Sequence, residues 1–433
     1  MHDSYQLLRL KAHEKNKCKA KMNVWYNILL YAVWFISTYY VVVLALIMFF
    51  GKDSLYEHKK FKSRDNKYVS IIVPAFNEEK KIKHTILSLK KISYEKLEFI
   101  IVNDGSSDGT PRIIKESIAG DKRFRFIDNP KNMGKAASLN EGIYVAKGEF
   151  IATMDADSVV ERKIFQKVLP YFSDENTAAV TVSVLVKKPK GLLQKMFEIE
   201  YIIGLSLFLK VFSMINSVFV TPGPFSIYRK SVLAELKGFD EDSITEDTEI
   251  AYRIQKNHYK IANCLEAKVY TIIPPTFKKL CIQRKRWYSG AIFTLRKHKD
   301  MLLNSKYGMF GFFVFFNYML IFFGLALFLS SIYLSFSRLA TELWHYQYTN
   351  FNILQRIFDL KFDLLTTSRA SVLGILSLLF TLTILFIGLR MTRSKMMKMK
   401  IGIIEYPLLF FFYQIFWLIS AVAIIRGKQI KWR

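Results

Sequence analysis

Two aspartates behind an apolar segment are the clearest candidates for chemistry in this sequence. Asp155 and Asp157 stand two residues apart in "DADS", directly after the apolar run "FIATM". Their carboxylate oxygens are hard ligands of the kind that Mg²⁺ or Mn²⁺ prefers, and such an ion can neutralise a diphosphate as it leaves. A solvated turn is the alternative for an isolated pair of this spacing. The metal interpretation is favoured where a strand of a parallel sheet ends at the pair.

Two polar segments upstream could bind the rest of a nucleotide. Asp104, in "VNDGSSDGT", can accept hydrogen bonds from a nucleoside base, although the same segment also suits a tight turn with a helix cap. Lys135, in "GKAASLN", stands in the first turn of a predicted helix, where a lysine and the helix N-terminus together form an anion site. The alternative for Lys135 is a solvated surface side chain.

A cluster of acids further along the chain could supply a general base. Glu246, Asp247 and Glu249 lie within "SITEDTEI" and follow the glycine-bearing segment "TPGPFSIYR". Asp247 could take the proton from a hydroxyl nucleophile. Ser243 and Glu246 also have the spacing of a capping box, which offers a purely structural explanation of the same acids.

One tryptophan is surrounded by cations in the segment "CIQRKRW", residues 281–287. This arrangement could hold a ligand between the Trp287 ring and a neighbouring cation such as Arg286. The alternative is that Trp287 is an anchor at the membrane surface, where an amphipathic ring is favoured.

The elements that must position these residues alternate regularly between strands and helices over residues 68–155. "YVSIIVP", "LEFIIVND", "FRFIDN" and "FIATMD" have the character of strands, and segments with helical spacing of apolar residues separate them. This order predicts a parallel sheet covered by helices, in which ligands bind at the carboxyl ends of the strands. Asn77 and Glu78 follow the first strand, Asp104 the second and Asp155 the fourth. No GxGxxG segment follows a strand, which disfavours a dinucleotide cofactor.

The composition indicates a membrane protein with a basic cytosolic face. The chain of 433 residues is 51% hydrophobic and carries a net charge of +27. We expect no nucleic-acid binding, because the basic segments lie next to apolar ones and no nucleic-acid motif is present. A basic segment over residues 1–24 precedes the first predicted span, for which a cleaved signal peptide is the alternative. The predicted transmembrane spans are 25–50, 310–336, 370–389 and 403–425.

Six motifs, in order and with the approximate spacing, resemble those of membrane-embedded family 2 glycosyltransferases. They are "VSIIVPAFNEE", "VNDGSSDGT", "GKAASLN", "DADS", "TED" and "QRKRW". This family includes the synthases of cellulose, chitin, hyaluronan and poly-N-acetylglucosamine. The resemblance covers roughly residues 68–300 and implies an α/β GT-A catalytic domain, Rossmann-like with a mixed, mainly parallel sheet, over residues 51–309. It also implies that a helix at about 192–220 lies flat at the membrane interface, because a crossing would separate the metal aspartates from Asp247.

The resemblance assigns a role to each candidate residue. It implies that Asp104 contacts the uridine, Asp155 the nucleotide and Asp157 the metal, and that Asp247 is the general base. The other residues expected to bind the donor or the acceptor are Ala75, Asn77, Glu78, Lys135, Glu246, Gln283, Arg286 and Trp287.

The sequence and the resemblance together predict an inverting β-glycosyltransferase of the cell membrane. We expect a multi-pass protein with a cytosolic catalytic domain, a UDP-sugar donor, Mg²⁺ or Mn²⁺, contacts with membrane lipids, and possible accessory subunits for synthesis or export. UDP-N-acetylglucosamine is the favoured donor and a polysaccharide the favoured acceptor. The alternatives are transfer of one sugar to a lipid such as ceramide or polyprenyl phosphate, and a transporter or scaffold with an inactive domain. With four spans and a cytosolic catalytic domain, both termini would lie outside the cell. The basic segments at both ends argue against that placement.

Overall fold

The computed structural model describes residues 2–55, 59–62, 65–346, 379, 382–383, 386–387 and 409–426 of the chain. The described residues form two compact units, which fall within Met1–Ala45 with Phe316–Thr383 and within Leu46–Phe315 with Ile384–Arg433. All the candidate site residues belong to the second unit.

The centre of the second unit is an eight-stranded sheet with the strand order β3-β2-β1-β4-β7-β6-β8-β5. Its strands are β1 (Val69–Ala75), β2 (Leu97–Asp104), β3 (Phe124–Asn129), β4 (Phe150–Thr153), β5 (Val159–Val160), β6 (Thr177–Val186), β7 (Ser226–Arg229) and β8 (Lys260–Thr271).

The first four strands form the parallel half of the sheet. β1 pairs in parallel with both β2 and β4, and β2 pairs in parallel with β3. Every residue of β1 and of β2 is buried, which explains why these strands are nearly continuous apolar runs. The parallel sheet predicted from the strand–helix alternation is confirmed.

The second half of the sheet has mixed direction. β7 pairs antiparallel with β4 and with β6, whereas β6 and β8 run parallel, and the short β5 closes the edge antiparallel to β8. The predicted mixed, mainly parallel sheet is therefore confirmed.

The helices connect and cover these strands. Their bounds are α1 (His2–Phe50), α2 (Lys52–Leu55), α3 (Ile82–Lys90), α4 (Thr110–Ile118), α5 (Lys135–Val145), α6 (Ile164–Val168), α7 (Gly191–Ile202), α8 (Leu209–Met214), α9 (Lys230–Glu235), α10 (Glu246–Lys256), α11 (Phe277–Lys297), α12 (Gly308–Tyr346) and α13 (Leu409–Ile425). A π-helical segment, Ile203–Phe208, joins α7 to α8.

The segment from α7 to α8 packs along strands β6 and β8 and is buried over most of its length. It includes most of the segment, 192–220, that we expect to lie flat at the membrane interface. Its packing against the sheet explains why so apolar a segment need not cross the bilayer. Its depth relative to the membrane stays a prediction.

Two helices in the described residues are long and apolar enough to cross a membrane. They cover Val24–Phe50 and Ser305–Thr341, with mean hydropathies of 2.2 and 2.3, and they contain the predicted spans 25–50 and 310–336. Most of the predicted span 370–389 lies outside the described residues, as do residues 403–408 of the last span, whose remainder coincides with α13. These helices fit an association with the membrane, and the number of spans stays a prediction.

Candidate active site

The polar residues after β1, β2 and β4 meet at one edge of the sheet. Ala75, at the end of β1, is paired with Asn103 of β2, so the two strands end side by side. Asn77 has a φ of 54°, and its side-chain oxygen accepts a hydrogen bond from the backbone N–H of Ser107 at 2.9 Å. The loops after β1 and β2 are therefore fastened to each other, as the convergence of strand ends requires.

Asp104 is fully buried and fixes the loop that precedes α5. Its two carboxylate oxygens accept hydrogen bonds from the backbone N–H groups of Met133, at 2.7 Å, and Gly134, at 3.0 Å. This arrangement sets where α5 begins and thereby places Lys135. The sequence did not indicate this positioning role, and the uridine contact of Asp104 stays a prediction.

Lys135 joins two motifs that are far apart in the sequence. Its Nζ atom lies 2.7 Å from Asp155 Oδ1 and 2.8 Å from Glu246 Oε1. Burial alone would lower the pKa of Lys135, but the charges of Asp155, Glu246 and Asp247 outweigh that effect and raise it. Lys135 therefore remains a cation between acids, and the alternative of a solvated surface lysine does not hold.

The loop before β7 passes very close to this group of charges. A Cβ atom added at Gly223 would lie 2.7 Å from Lys135 Nζ and 3.1 Å from Asp155 Oδ2. Only a glycine lets the backbone approach the ion pair this closely without displacing it. Gly223 is a site residue that the sequence analysis missed, although "TPGPF" marked the loop.

Asp157, the other aspartate of the pair, contacts a second lysine. Lys81 Nζ lies 3.4 Å from Asp157 Oδ2 and 2.9 Å from Glu78 Oε2. Burial, and then the negative charge of Asp155, raise the pKa of Asp157, although Lys81 opposes them. Among the described residues, no group of three or more His, Cys, Asp and Glu side chains is arranged as a metal site.

Asp247 stands in the first turn of α10 and is held through its backbone. Its carbonyl oxygen accepts hydrogen bonds from the backbone N–H and the hydroxyl of Thr221, at 3.1 and 2.8 Å. Burial, followed by the charge of Glu246, raises the pKa of Asp247 to about 6 against the opposing charges of Lys135 and Arg286. A carboxylate with such a pKa is well matched to proton abstraction near neutral pH.

The capping box expected as the structural alternative does not form. The residue that caps α10 is Thr245, and its side chain makes no capping hydrogen bond. The Glu246 carboxylate instead forms an ion pair with Lys135. Glu246 is therefore paired with a cation and does not cap the helix.

Helix α11 brings the "QRKRW" motif to the start of α10. A Cβ atom added at Gly290 would lie 2.4 Å from Thr245 Oγ1, which shows how closely the two helices approach. Arg286 is near enough for its charge to lower the pKa of Asp247. Gln283 Oε1 is buried and has no hydrogen-bond partner within the described part of the chain, so it is available to a ligand hydroxyl.

Trp287 is partly buried and has a cation over one face. The guanidinium carbon of Arg284 lies 4.2 Å from the centroid of the indole ring. The ring of Tyr201 lies 6.4 Å from the same ring, and burial, together with the charges of Glu200, Asp157 and Asp155, raises the pKa of the Tyr201 hydroxyl. Trp287 thus lies in the vicinity of the aspartates, and its contact with an acceptor stays a prediction.

The sequence analysis missed Arg284 and its partner Glu200. Arg284 Nη2 donates a hydrogen bond to Glu200 Oε2 at 2.6 Å. The spacing of three residues between Arg284 and Trp287 puts both on one face of a helix and could have indicated their contact. No sequence signal points to Glu200, which lies on α7.

Comparisons with known proteins agree with this arrangement. Residues 70–237 match the family model "Glycosyl transferase family 2". Over 269 residues, the chain is 30% identical to a poly-beta-1,6-N-acetyl-D-glucosamine synthase of Staphylococcus epidermidis and 29% identical to one of Staphylococcus aureus (strain COL). Each match covers 61% of this chain and 65% of the relative's length.

One solved structure resembles the chain over most of its length. It is a mannosyltransferase from Pyrobaculum calidifontis in complex with GDP-Man and Mn²⁺. The TM-score is 0.60 at 18% sequence identity, and the match covers 92% of this chain and 100% of the mannosyltransferase. At this identity the likeness establishes the fold alone. The comparisons thus show a match to the family 2 model over residues 70–237 and a fold of the GT-A type.

Proposed function

We propose that this chain is an inverting β-glycosyltransferase that extends a polysaccharide with N-acetylglucosamine from UDP-N-acetylglucosamine. The observation that carries the proposal is the position of Lys135, whose Nζ lies within 2.8 Å of both Asp155 and Glu246. Lys135 thus links "DADS", the motif expected to bind the donor, to "TED", the motif expected to supply the general base. The curated relatives are named as poly-beta-1,6-N-acetyl-D-glucosamine synthases, which supports this donor.

Asp247 is the proposed general base. The acceptor hydroxyl gives its proton to the Asp247 carboxylate as its oxygen attacks the anomeric carbon from the face opposite UDP. The bond from the anomeric carbon to the diphosphate oxygen breaks with its electron pair, so UDP leaves and the configuration inverts. The pKa of about 6 leaves Asp247 mostly ionised at neutral pH and still basic enough to accept the proton.

Lys135 and Arg286 are proposed to stabilise the charge that develops on the diphosphate. Lys135 stays protonated because three carboxylates raise its pKa. Arg286, on α11, is near enough for its charge to lower the pKa of Asp247. Cations fixed in position before the reaction stabilise a leaving group without reorganisation at the moment of bond cleavage.

A divalent cation fits the side chains at the end of β4. The raised pKa of Asp157 reflects a buried carboxylate with too little compensating charge. Asp157 and Asp155 would hold Mg²⁺ or Mn²⁺ with diphosphate oxygens and water, since Mg²⁺ is commonly bound by one or two carboxylates plus phosphates. When bound, the ion supplies charge neutralisation on the diphosphate. Lys81, 3.4 Å from Asp157, balances part of the negative charge at this position.

The test is to incubate the purified chain in lipid nanodiscs with labelled UDP-N-acetylglucosamine or UDP-glucose and to size the products. We expect UDP release and a polymer from UDP-N-acetylglucosamine with Mg²⁺ or Mn²⁺ present, and neither in excess chelator. A product of one sugar on a lipid would replace polymer extension by the lipid-acceptor alternative. Absence of UDP release with every donor and metal would overturn the proposed activity, and full activity in chelator would remove the metal from it.

A further inference from the structure

Arg284 is a buried cation to which the proposed function gives no role. Its side chain is 2% exposed, and Arg284 Nη2 donates to Glu200 Oε2 at 2.6 Å. The pair joins helix α11 to helix α7. Burying two charges costs several kcal/mol, which a single ion pair often fails to recover, so a buried pair is weak evidence for a role in stability alone.

The surroundings of Arg284 are aromatic on several sides. Its guanidinium carbon lies 4.2 Å from the ring centroid of Trp287, 5.4 Å from that of Phe197 and 5.9 Å from that of Tyr201. A planar guanidinium can stack on a ring while its edge donates to a carboxylate, which an ammonium cannot do. Glu200 thus fixes the plane of Arg284, and Arg284 covers one face of the indole.

A third helix, α13, packs against both α7 and α11. The ring of Tyr288, next to Trp287, stacks on Trp417 of α13 with centroids 4.3 Å apart and an angle of 2°. Phe197, on α7, packs against Phe412 and Phe416 of α13. Helix α13 is therefore joined by aromatic contacts to both α7 and α11, the two helices that carry Glu200 and Arg284.

We propose that the Arg284–Glu200 pair is a positioning device that fixes the plane of Trp287, so that the face opposite Arg284 receives the terminal sugar of the acceptor. Arg284 and Glu200 are positioning residues, because they act through Trp287. This inference rests on the proposed function for the identity of the acceptor. It also makes a claim about the orientation of Trp287 that holds whatever the chain transfers.

The variants must separate positioning from folding. Glu200→Gln leaves a buried cation without its partner and should destabilise the fold. The double variant Glu200→Leu/Arg284→Met replaces the pair by apolar side chains of similar volume, which is often neutral for stability. Arg284→Lys keeps the charge but loses the stacked plane. Glu198→Gln, on the same helix as Glu200, is the matched control.

The first measurement is product length and rate with UDP-N-acetylglucosamine, together with the KM for the donor. In the double variant and in Arg284→Lys we expect a normal thermal midpoint and an unchanged donor KM, but a polymer shorter by about 5- to 30-fold, the range expected from losing a buried cation–π contact. Glu198→Gln should match the wild type. If the double variant folds normally and makes polymer of wild-type length, the pair is only structural and the proposal is wrong.

The second measurement does not depend on activity. The fluorescence of Trp287 is obtained as the difference between each protein and the same protein with Trp287→Phe, and its quenching by acrylamide is recorded. We expect the Trp287 component to be quenched more readily in the double variant than in the wild type or in Glu198→Gln. An unchanged component would overturn the positioning role. Should the wild type make no polymer, the proposed function fails, and this measurement still decides whether Arg284 holds Trp287.

Discussion

At the scale of single residues, the site depends on one carboxylate that is kept basic among other charges. Burial and the charge of Glu246 raise the pKa of Asp247 to about 6, while Lys135 and Arg286 limit the rise. The cations favour the ionised form of this carboxyl group, whereas burial makes the carboxylate a stronger base. The balance makes Asp247 the residue whose chemistry is most open to test.

Replacing Asp247 by asparagine should lower turnover by about 10²–10⁴-fold, the usual contribution of a general base. The amide keeps the shape of the side chain, so UDP-sugar binding should be retained. Because the folded-state pKa of Asp247 lies above its unfolded value of about 4, its ionisation costs stability as the pH rises through about 6. The thermal midpoint of the variant at pH 7.5 should therefore be no lower than that of the wild type.

The matched control for this substitution is Asp242→Asn, which changes an exposed aspartate of the preceding loop. We expect it to leave turnover and the thermal midpoint unchanged. Near-normal turnover of the Asp247→Asn protein would exclude Asp247 from the mechanism. A loss of donor binding along with turnover would instead assign it to the donor site.

The pH dependence gives a second prediction for the same residue. A base must be deprotonated to act, so kcat/KM should fall as the pH drops through about 6. Glu246→Gln removes the neighbouring charge that raises the pKa of Asp247, and should therefore move this acidic limb to lower pH. The measurement is the pH profile of kcat/KM for both proteins. An acidic limb that stays in place, or moves to higher pH, would contradict the assignment.

The sequence predicts some of these residues better than others, for a physical reason. Lys135 begins a helix shortly after strand β3, so the alternation of strands and helices predicts its place at the edge of the sheet, and Asp247 stands in the first turn of α10. Arg284 and Glu200 are 84 residues apart in the chain and meet only because the fold brings one point of α7 close to α11. No local pattern encodes such a contact, so the structure was needed to find it.

At the scale of elements, the junction of α10 with the end of α11 is held by a buried ionic cluster. Glu249 is 1% exposed, and its carboxylate contacts Arg253 Nε at 2.7 Å, Lys297 Nζ at 3.2 Å and His298 Nε2 at 3.2 Å. Burial alone would raise the pKa of Glu249, but the hydrogen bond from His298 and the charge of Arg253 lower it to about 2. The cluster keeps the helix of Asp247 in register with the helix of Arg286 and Trp287.

Glu249→Gln should lower the free energy of unfolding by about 3–5 kcal/mol, because it leaves the largely buried Arg253 guanidinium without its carboxylate partner. Since the pKa of Glu249 is lowered on folding, its contribution is fully present above the unfolded value of about 4.3 and is lost as the pH falls towards about 2. The difference in the free energy of unfolding between variant and wild type, measured by chemical denaturation, should therefore be largest at pH 7 and decrease below about pH 4.

An exposed ion pair provides the comparison. Glu116 contacts Arg112 at 3.3 Å with both side chains more than half exposed, and such surface pairs contribute about 0–1 kcal/mol. Glu116→Gln should thus leave the denaturation curve nearly unchanged. If Glu249→Gln proved as mild as Glu116→Gln, the buried cluster would not be what holds α10 to α11.

The elements themselves were predictable to different degrees. Strands β1 to β4 are local apolar runs between helices, so their period and order predict the parallel half of the sheet. The antiparallel insertion of β7 between β4 and β6 depends on pairing between distant segments. The capping box at Glu246 failed because the charge of Lys135 offers that carboxylate a stronger partner than the N-terminus of a helix.

At the scale of the whole molecule, the chain combines a cluster of charged residues, proposed to bind the donor, with helices that are suited to a membrane. Val24–Phe50 and Ser305–Thr341 flank the segment that contains the sheet and are apolar enough to cross a bilayer. With a net charge of +27, the segments outside the bilayer are expected on the cytosolic side, where Lys and Arg residues are enriched. A UDP-sugar is made in the cytosol, so the site would meet its donor there.

Membrane vesicles of opposite orientation test this arrangement. Inside-out vesicles expose the cytosolic face, so UDP-N-acetylglucosamine added to the medium should be turned over by these and not by sealed right-side-out vesicles. If the chain also exports its product, the polymer formed by inside-out vesicles should lie in the lumen and resist an added glycosidase until detergent opens them. The Asp247→Asn protein in the same vesicles is the control for background hydrolysis. Turnover by sealed right-side-out vesicles would contradict the cytosolic location of the site. Digestion of the polymer without detergent would be consistent with a cytosolic site and would show that this chain does not export its product.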